Sequence, residues 1–350
     1  MPRRHRQHPH DPASIFTRLE EVVVARSGED VFEESLKLLA LHLFAEDRTS
    51  EEALVAFDRR VPGVLAEPRL RLTPEAARDG RAVLAAIVPG DLAALDLFFE
   101  ALVSHLAKAS KGQYFTPRHV VECCVRIVAP TTTARILDPA CGSGAFLLAA
   151  ARHGVASGNL FGIDIDPRAV RIARFLAAAA GERLDVRHGD ALDRTVLGGQ
   201  RFDCILTNPP FAGDVRDAEL LSQFELARHQ RRIERDLLFL ERCTELLAPG
   251  GTLCIVLPHN VFAGRRTAAV RAWLFERLRV LAVVGLGRTT FLPHTHQKAN
   301  VLFARRRRAH ETHAGEKIFF AQSERDDARD HDLFEIAQAY LAFAAEAVPA

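Results

Sequence analysis

Arg135-Ile136-Leu137-Asp138-Pro139-Ala140-Cys141-Gly142-Ser143-Gly144 is the stretch that decides the fold of this chain. A short apolar run ends on a carboxylate and a glycine-bracketed turn, and Ala145 to His153 then continues in apolar and small residues suited to a helix. Strand, tight turn and helix in that order open a parallel sheet with crossover helices. The unit recurs: Leu160-Phe161-Gly162-Ile163-Asp164 reads as a second strand, and Asp166-Pro167 as a helix start with the carboxylate as N-cap, closed at Gly181. Leu184 to His188 reads as a third strand ending at Gly189-Asp190, and Cys204 to Thr207 as a fourth. A long polar and helical segment leads to the Pro249-Gly250-Gly251 turn, after which Thr252 to Leu257 reads as a fifth strand. Arg266 to Leu278 predicts a helix, and Val280 to Val284 with Asn300 to Phe303 predict an antiparallel pair at the sheet edge. The fold class is α/β, with a Rossmann-like sheet.

Upstream the period changes. Phe32, Leu36, Leu39, Ala40 and Leu43, and again Leu92, Leu95, Phe98, Phe99 and Leu102, recur at helical spacing. Lys108 to Gly112 breaks that pattern with small and charged residues. The expected organisation is therefore a disordered basic tail over 1–12, a helical domain over 13–110, the sheet domain over 111–305, and a C-terminal appendage over 306–350 with a helix from Leu333 to Ala345. At 350 residues, 48% hydrophobic and 26% charged, disorder cannot dominate. A net charge of +1 means that nucleic acid, if bound, must be held by local basic patches. The six cysteines lie in apolar runs without C-x-x-C spacing and read as reduced core residues, so neither a zinc site nor a disulfide framework is expected. With no long apolar stretch and no signal core after the basic, His-rich start, the expected location is cytoplasmic, away from membranes.

Asp138, Asp164 and Asp190 fall at three successive strand ends, 26 residues apart each time. In a doubly wound sheet those ends face one crevice, where nucleotide-like ligands bind. Gly142-Ser143-Gly144 lets the backbone approach such a ligand, the following helix presents free N–H groups to a carboxylate, and Asp164 is placed to accept from ribose hydroxyls. The full dinucleotide fingerprint is missing, because Phe146 and Leu147 follow where it requires glycine. S-adenosylmethionine, with ribose, adenine and carboxylate but no phosphate, suits the pattern better than NAD. About seventy residues past Asp138 comes Asn208-Pro209-Pro210-Phe211. An exocyclic amine is a poor nucleophile because its lone pair is delocalised into the ring. Two acceptors on its hydrogens favour a pyramidal nitrogen, and an aromatic side chain can stack on the ring that carries it. No strong base is required, so positioning and electrostatics supply most of the rate.

Gly112-Gln113-Tyr114-Phe115-Thr116-Pro117-Arg118, Asp138 to Gly144, Gly162-Ile163-Asp164-Ile165-Asp166-Pro167, Gly189-Asp190 and Asn208 to Phe211, in that order, resemble the N6-adenine DNA methyltransferases, and among them the modification subunit of type I restriction systems. The likeness extends through Leu257-Pro258-His259-Asn260-Val261-Phe262 and Phe291-Leu292-Pro293 to Asn300-Val301-Leu302-Phe303, covering roughly Asp96 to Arg305. It implies a seven-stranded methyltransferase sheet with S-adenosylmethionine as cofactor and transfer to the N6 amine of a flipped adenine. By position, Gln113, Tyr114, Phe115, Thr116, Pro117 and Arg118 would contact the methionine part. Asp138, Pro139, Ala140, Gly142, Ser143 and Gly144 would line it, Asp164 and Ile165 would hold the nucleoside, and Asp190 and Ala191 its adenine. Asn208, Pro209, Pro210 and Phe211 would be the catalytic set, with Asn208 also facing the cofactor; no metal is implied. The implied partners are DNA, a separate specificity subunit and a restriction subunit, since only 45 residues follow Arg305 and no module for reading DNA sequence is evident.

Arg228, His229, Arg231, Arg232 and Arg235 form a basic stretch suited to phosphate, interleaved with Glu225 and Glu234 as a solvated helix face would be. Arg305 to Arg308 is a denser run at the end of the last strand. His294 and His296 lack a third ligand and read as loop residues. Two other functions share parts of this pattern. Asn-Pro-Pro with an aromatic also serves enzymes that methylate guanine N2 in ribosomal RNA or glutamine N5 in release factors, from which the Gly112 to Arg118 segment and the Asp138-Pro139-Ala140 loop separate this chain. A catalytically silent DNA-associated scaffold would have no need of intact Asn208, Phe211, Asp138 and Asp164.

Overall fold

The structure, a computed structural model, describes residues 12–45, 48–106, 115–211, 213–292, 295–311, 315–325 and 330–346. Contacts divide the chain into two units, Met1–Ser110 with Arg171–Glu182, and Lys111–Val170 with Arg183–Ala350.

The first unit is helical, as its spacing predicts: α1 (Pro12–Ser27), α2 (Val31–Phe44), α3 (Ser50–Arg60), α4 (Pro74–Leu84) and α5 (Leu92–Leu106). The helices begin where the sequence supplies acceptors for unpaired N–H groups. The Asp30 carboxylate accepts from Phe32 and Glu33 at 2.8 and 3.1 Å. Thr49 and Glu52 form a capping box, and Thr73 caps α4 with Pro74 in its first turn. Pro12 already belongs to α1, so the helix starts one residue inside the expected tail; residues 1–11 lie outside the described ones. The apolar stripe closes inward: Phe32, Leu36, Leu39, Leu95, Phe98, Phe99 and Leu102 are buried. Phe175 meets the rings of Phe44, Phe57 and Phe99 at centroid distances of 5.9, 5.5 and 5.5 Å. Inside this unit Lys37 and Glu34 form an ion pair at 2.7 Å with side chains 2% and 1% exposed.

The second unit follows the alternation read from the sequence: α6 (Arg118–Val128), β1 (Ile136–Asp138), α7 (Ala145–Arg152), β2 (Leu160–Asp164), α8 (Pro167–Ala179), β3 (Asp185–His188), α9 (Arg194–Leu197) and β4 (Phe202–Thr207). Arg171 onward of α8 counts with the first unit. The Asp166 side chain accepts from the Arg168 N–H at 2.9 Å, the expected N-cap. A two-stranded antiparallel ribbon, β5 (Asp214–Val215) with β6 (Ile233–Glu234), brackets α10 (Ala218–Ser222). Then come α11 (Arg235–Leu246), β7 (Leu247–Pro258), α12 (Asn260–Ala263), α13 (Ala268–Arg277), β8 (Leu278–Gly285), β9 (Ala299–Arg306), β10 (Phe319–Gln322) and α14 (Leu333–Glu346). The main sheet has the order β10-β8-β9-β7-β4-β1-β2-β3. Strands β4, β1, β2, β3 and β7 pair in parallel, while β9 runs antiparallel to both β7 and β8. The central strand β4 and residues 253–258 of β7 are buried almost throughout, as strands covered on both faces must be.

Four expectations need correction. The sheet has eight strands rather than seven, because Phe319–Gln322 pairs in parallel with β8. The antiparallel pair therefore lies inside the sheet and β10 forms the edge, with Phe320 71% exposed. The residues after Arg305 are accordingly built into this unit: Tyr340 of α14 stacks with Phe303 at 6.4 Å and meets Phe319 edge-on at 5.8 Å. Arg306 and Arg307 are structural too, since Arg306 donates to the Glu245 carbonyl at 2.9 Å and Arg307 grips Glu316 through two bonds of 2.6 and 2.8 Å. Finally, β7 starts at Leu247, so Pro249-Gly250-Gly251 lies within a strand, absorbed by a register irregularity against Phe202 and Cys204. Among the described residues no helix is long and apolar enough to cross a membrane.

Candidate active site

Chain order runs outward through β1, β2 and β3, then returns to place β4 on the other side of β1. A crevice opens at the carboxyl ends of the strands at such a reversal. Register aligns those ends: Asp138 lies opposite Gly162, Asp164 opposite His188, and Leu137 opposite Ile205. Asp190, Asp164, Asp138 and Asn208 thus stand at or just beyond four neighbouring strand ends, a span of about 15 Å at roughly 4.8 Å per strand. That length matches a nucleoside joined to an amino acid.

Asp138 is 1% exposed and accepts from the Ala140 N–H at 3.1 Å. Burial, reinforced by the nearby Asp164 carboxylate, pushes its pKa up to about 7. Asp164 is also buried, and burial raises its pKa against the pull of two backbone hydrogen bonds. Those bonds come from Gly142 at 2.8 Å and Asp166 at 2.9 Å, one to each carboxylate oxygen. Expected as a ribose acceptor, Asp164 therefore also ties the glycine loop to the end of β2; each oxygen keeps a second lone pair for a ligand. Neither acid forms a salt bridge with a lysine or arginine among the described residues. A cation arriving beside them would recover the cost of holding this charge in a dry site, whereas a phosphate would add to it.

The loop between β1 and α7 is held by backbone bonds, Cys141 N–H to the Ile163 carbonyl at 2.9 Å and Gly144 N–H to the Cys141 carbonyl at 2.7 Å. Gly142 and Gly144 take φ of 51° and 82°, the left-handed region that glycine enters at least cost. Gly144 is the N-cap position of α7, so N–H groups without an intrahelical partner adjoin the turn. Ser143 is buried within it. Ile165, just past Asp164, is 56% exposed, an apolar surface offered beside two acids. Asp190 accepts from the Leu192 N–H at 2.9 Å, shaping the turn after β3, and the buried Ala191 gives its carbonyl to Arg242 Nε at 3.0 Å.

Asn208 follows β4 directly. Its Nδ2 donates to the Thr116 hydroxyl at 3.0 Å, while its Oδ1 is buried with no hydrogen-bond partner among the described residues. Pro209 is buried, and Phe211, 8% exposed, meets the Phe291 ring at 6.0 Å and 83°. The site thus presents an orphaned carbonyl-type acceptor at the end of a strand next to a braced aromatic ring. Such an acceptor is completed by an N–H or O–H of a ligand.

Of the residues expected here, Phe115, Thr116, Pro117 and Arg118 are half-buried at the start of α6, and Thr116 joins them to Asn208. Gln113 and Tyr114 lie outside the described residues, as do Pro293 and His294. Sequence reasoning gave no role to Phe291, although its motif was recognised, nor to the Thr116 contact with Asn208. Arg228, His229 and Arg231 are exposed, and Arg232 pairs with Asp214 at 3.1 Å. With Arg194 and Arg216 the first three line a cavity of about 700 Å³ whose opposite charge comes from Glu225, Glu241 and Glu245.

Comparison with known proteins bears on this geometry. The family described as N-6 DNA Methylase matches residues 93–340. The chain is 27% identical over 224 residues to the type I restriction enzyme EcoEI methylase subunit of Escherichia coli, covering 59% of this chain and 45% of that subunit. It is 36% identical over 129 residues to the tRNA1(Val) (adenine(37)-N6)-methyltransferase of Porphyromonas gingivalis, covering 35% of this chain and 49% of that enzyme. The crystal structure of a putative class I S-adenosylmethionine-dependent methyltransferase from Listeria monocytogenes superposes with a TM-score of 0.67 at 16% identity, over 95% of this chain and 97% of that one. That likeness identifies the fold. The chain spans less than half the length of both curated relatives.

Proposed function

Because the chain belongs to the N-6 DNA methylase family, we propose that it transfers a methyl group from S-adenosylmethionine to the N6 amine of an adenine flipped out of DNA, as the modification subunit of a restriction-modification system that relies on a separate specificity subunit. The observation that carries the reading is Asn208, whose buried Oδ1 lacks a donor among the described residues while its Nδ2 is held by Thr116. An exocyclic amine supplies the missing donor.

The residues at the crevice fit the cofactor. Asp138 and Asp164 would offset its positive charge and Asp164 would also take its ribose hydroxyls. The glycine loop and the first turn of α7 would receive the carboxylate, and Ile165, Asp190 and Ala191 would flank and hold the adenine. When bound, the cofactor supplies an electrophilic methyl on a sulfonium. The chain's own task is to prepare the acceptor. Asn208 Oδ1 takes one N–H of the amine and the Pro209 carbonyl takes the other, which favours a pyramidal nitrogen and frees its lone pair. Phe211, braced by Phe291, stacks on the base. Positioning in a water-poor site supplies most of the rate, with no residue required as a strong base. Arg228 and Arg231 would neutralise phosphates of the acceptor strand, with His229 beside them.

The 36% identity to a tRNA adenine-N6 methyltransferase supports RNA as the second acceptor to weigh, with the same atom methylated. The test is labelled-methyl transfer to DNA, RNA and protein acceptors, by the chain alone and with a specificity subunit. Preferential labelling of DNA that disappears in Asn208→Ala is expected; preferential labelling of RNA or protein would overturn the choice of acceptor.

A further inference from the structure

We propose that Thr116 is the positioning residue of the methyl-transfer site: its hydroxyl holds the Asn208 carboxamide in one rotation, with the nitrogen committed to the protein and the oxygen left for the target amine. This rests on the function proposed above. The sequence pattern gave Thr116 to the cofactor's methionine part, whereas in the structure its hydroxyl is bonded to Asn208, 92 residues away in the chain, at 3.0 Å.

A carboxamide is nearly symmetric in shape, and its terminal torsion is soft, so packing alone selects its plane poorly. Hydrogen bonds decide where its oxygen points. Thr116 Oγ1 is the carboxamide's one hydrogen-bond partner among the described residues. A hydroxyl can accept from Nδ2 or donate to Oδ1, so the bond fixes the plane of the carboxamide, and the arrangement in which Thr116 accepts is the one that leaves Oδ1 for an amine donor. If the Thr116 hydroxyl is removed, Nδ2 is left buried without an acceptor and the group is free to turn its N–H donors toward the amine, where donor would face donor. The cost falls on the transition state, in which the Oδ1 contact to the amine must be short and aligned. A residue that touched the cofactor instead would change cofactor affinity.

Thr116→Val keeps the shape of the side chain and deletes the hydroxyl; Thr116→Ser restores it. Methyl transfer to unmethylated bacterial genomic DNA is measured in whichever preparation is active, chain alone or chain with specificity subunit. Thr116→Val should lower kcat about tenfold, the order expected for one neutral hydrogen bond, while KM for S-adenosylmethionine changes less than about twofold and Thr116→Ser stays near wild type. An activity-independent readout is available because the chain has four asparagines: with ¹⁵N-asparagine, the side-chain amide pair lost in Asn208→Ala identifies Asn208. Its protons should exchange slowly in wild type and Thr116→Ser, and rapidly in Thr116→Val. Thr116→Val with wild-type kcat, or with its loss carried by KM for the cofactor, would overturn the positioning role while Asn208→Ala still upholds the site. An unsubstituted chain inactive in both preparations would overturn the proposed function itself, and the positioning role with it.

Discussion

Gly162→Ala tests how the glycine loop is seated. A Cβ at this position in β2 would stand 3.0 Å from Cys141 Sγ, 3.1 Å from Leu147 Cδ1 and 3.2 Å from Cys141 Cβ. Comfortable contacts between such atoms are about 3.5–4.0 Å, so loop and helix must each give by roughly 0.5 Å. They have little room to do so: Cys141 and Leu147 are buried, and the loop is pinned by the Cys141 N–H to Ile163 and the Gly142 N–H to Asp164. Overpacking of this kind costs about 1–3 kcal/mol. Because the displaced atoms belong to the loop that would line the cofactor, affinity for S-adenosylmethionine should fall as well. Urea unfolding followed by circular dichroism measures the first effect and calorimetric titration the second. Cys141→Ala removes the closest contact, so Gly162→Ala should cost about 1 kcal/mol less in that background than alone. A Gly162→Ala protein within about 0.5 kcal/mol of wild type, or an equal cost in both backgrounds, would refute the reasoning.

Other predictions follow from buried charge. Asp138 and Asp236 both have pKa values pushed by burial to about 7, from an ordinary 3.8. Between about pH 4 and 7 the folded chain therefore keeps protons that the unfolded chain has released, and the stability this term contributes below pH 4 is lost as pH rises through 7, by up to ~4 kcal/mol per group. Wild type should lose stability relative to Asp138→Asn across that window in denaturant titrations; a difference independent of pH would contradict the assignment. In the helical unit, Lys37→Met leaves Glu34 charged and buried, which should cost about 3–5 kcal/mol, with much of it recovered by adding Glu34→Gln. Equilibrium unfolding checks this, and a neutral Lys37→Met would show that the pair does not govern that region.

The parallel half of the sheet was legible because its inner strands are buried on both faces and end on chemically marked turns: apolar runs closing on Asp138, Asp164 and Asn208 leave few alternatives. The other half was harder for identifiable reasons. Phe319–Gln322 alternates half-buried and exposed residues as an edge strand does, and at four residues its apolar run is too short to separate it from a tail. Leu247 to Gly251 contains proline and two glycines, the composition of a turn, yet a neighbouring strand with an irregular register accommodates it within β7. At the site, three aspartates at equal spacing marked strand ends that the sheet brings side by side. Partnership was not legible. Nothing local says that Asp164 spends hydrogen bonds on Gly142 and Asp166, or that Thr116 and Phe291, far apart in the chain, converge on Asn208 and Phe211. Those facts arise from strand order and register.

The most direct test identifies the methylated nucleoside. DNA is incubated with the chain, a candidate specificity subunit and methyl-labelled S-adenosylmethionine, digested to nucleosides, and resolved by chromatography with mass detection. The account predicts label in N6-methyl-2′-deoxyadenosine, abolished by Asn208→Ala; label in any other nucleoside, or label that survives the Asn208 substitution, would contradict it.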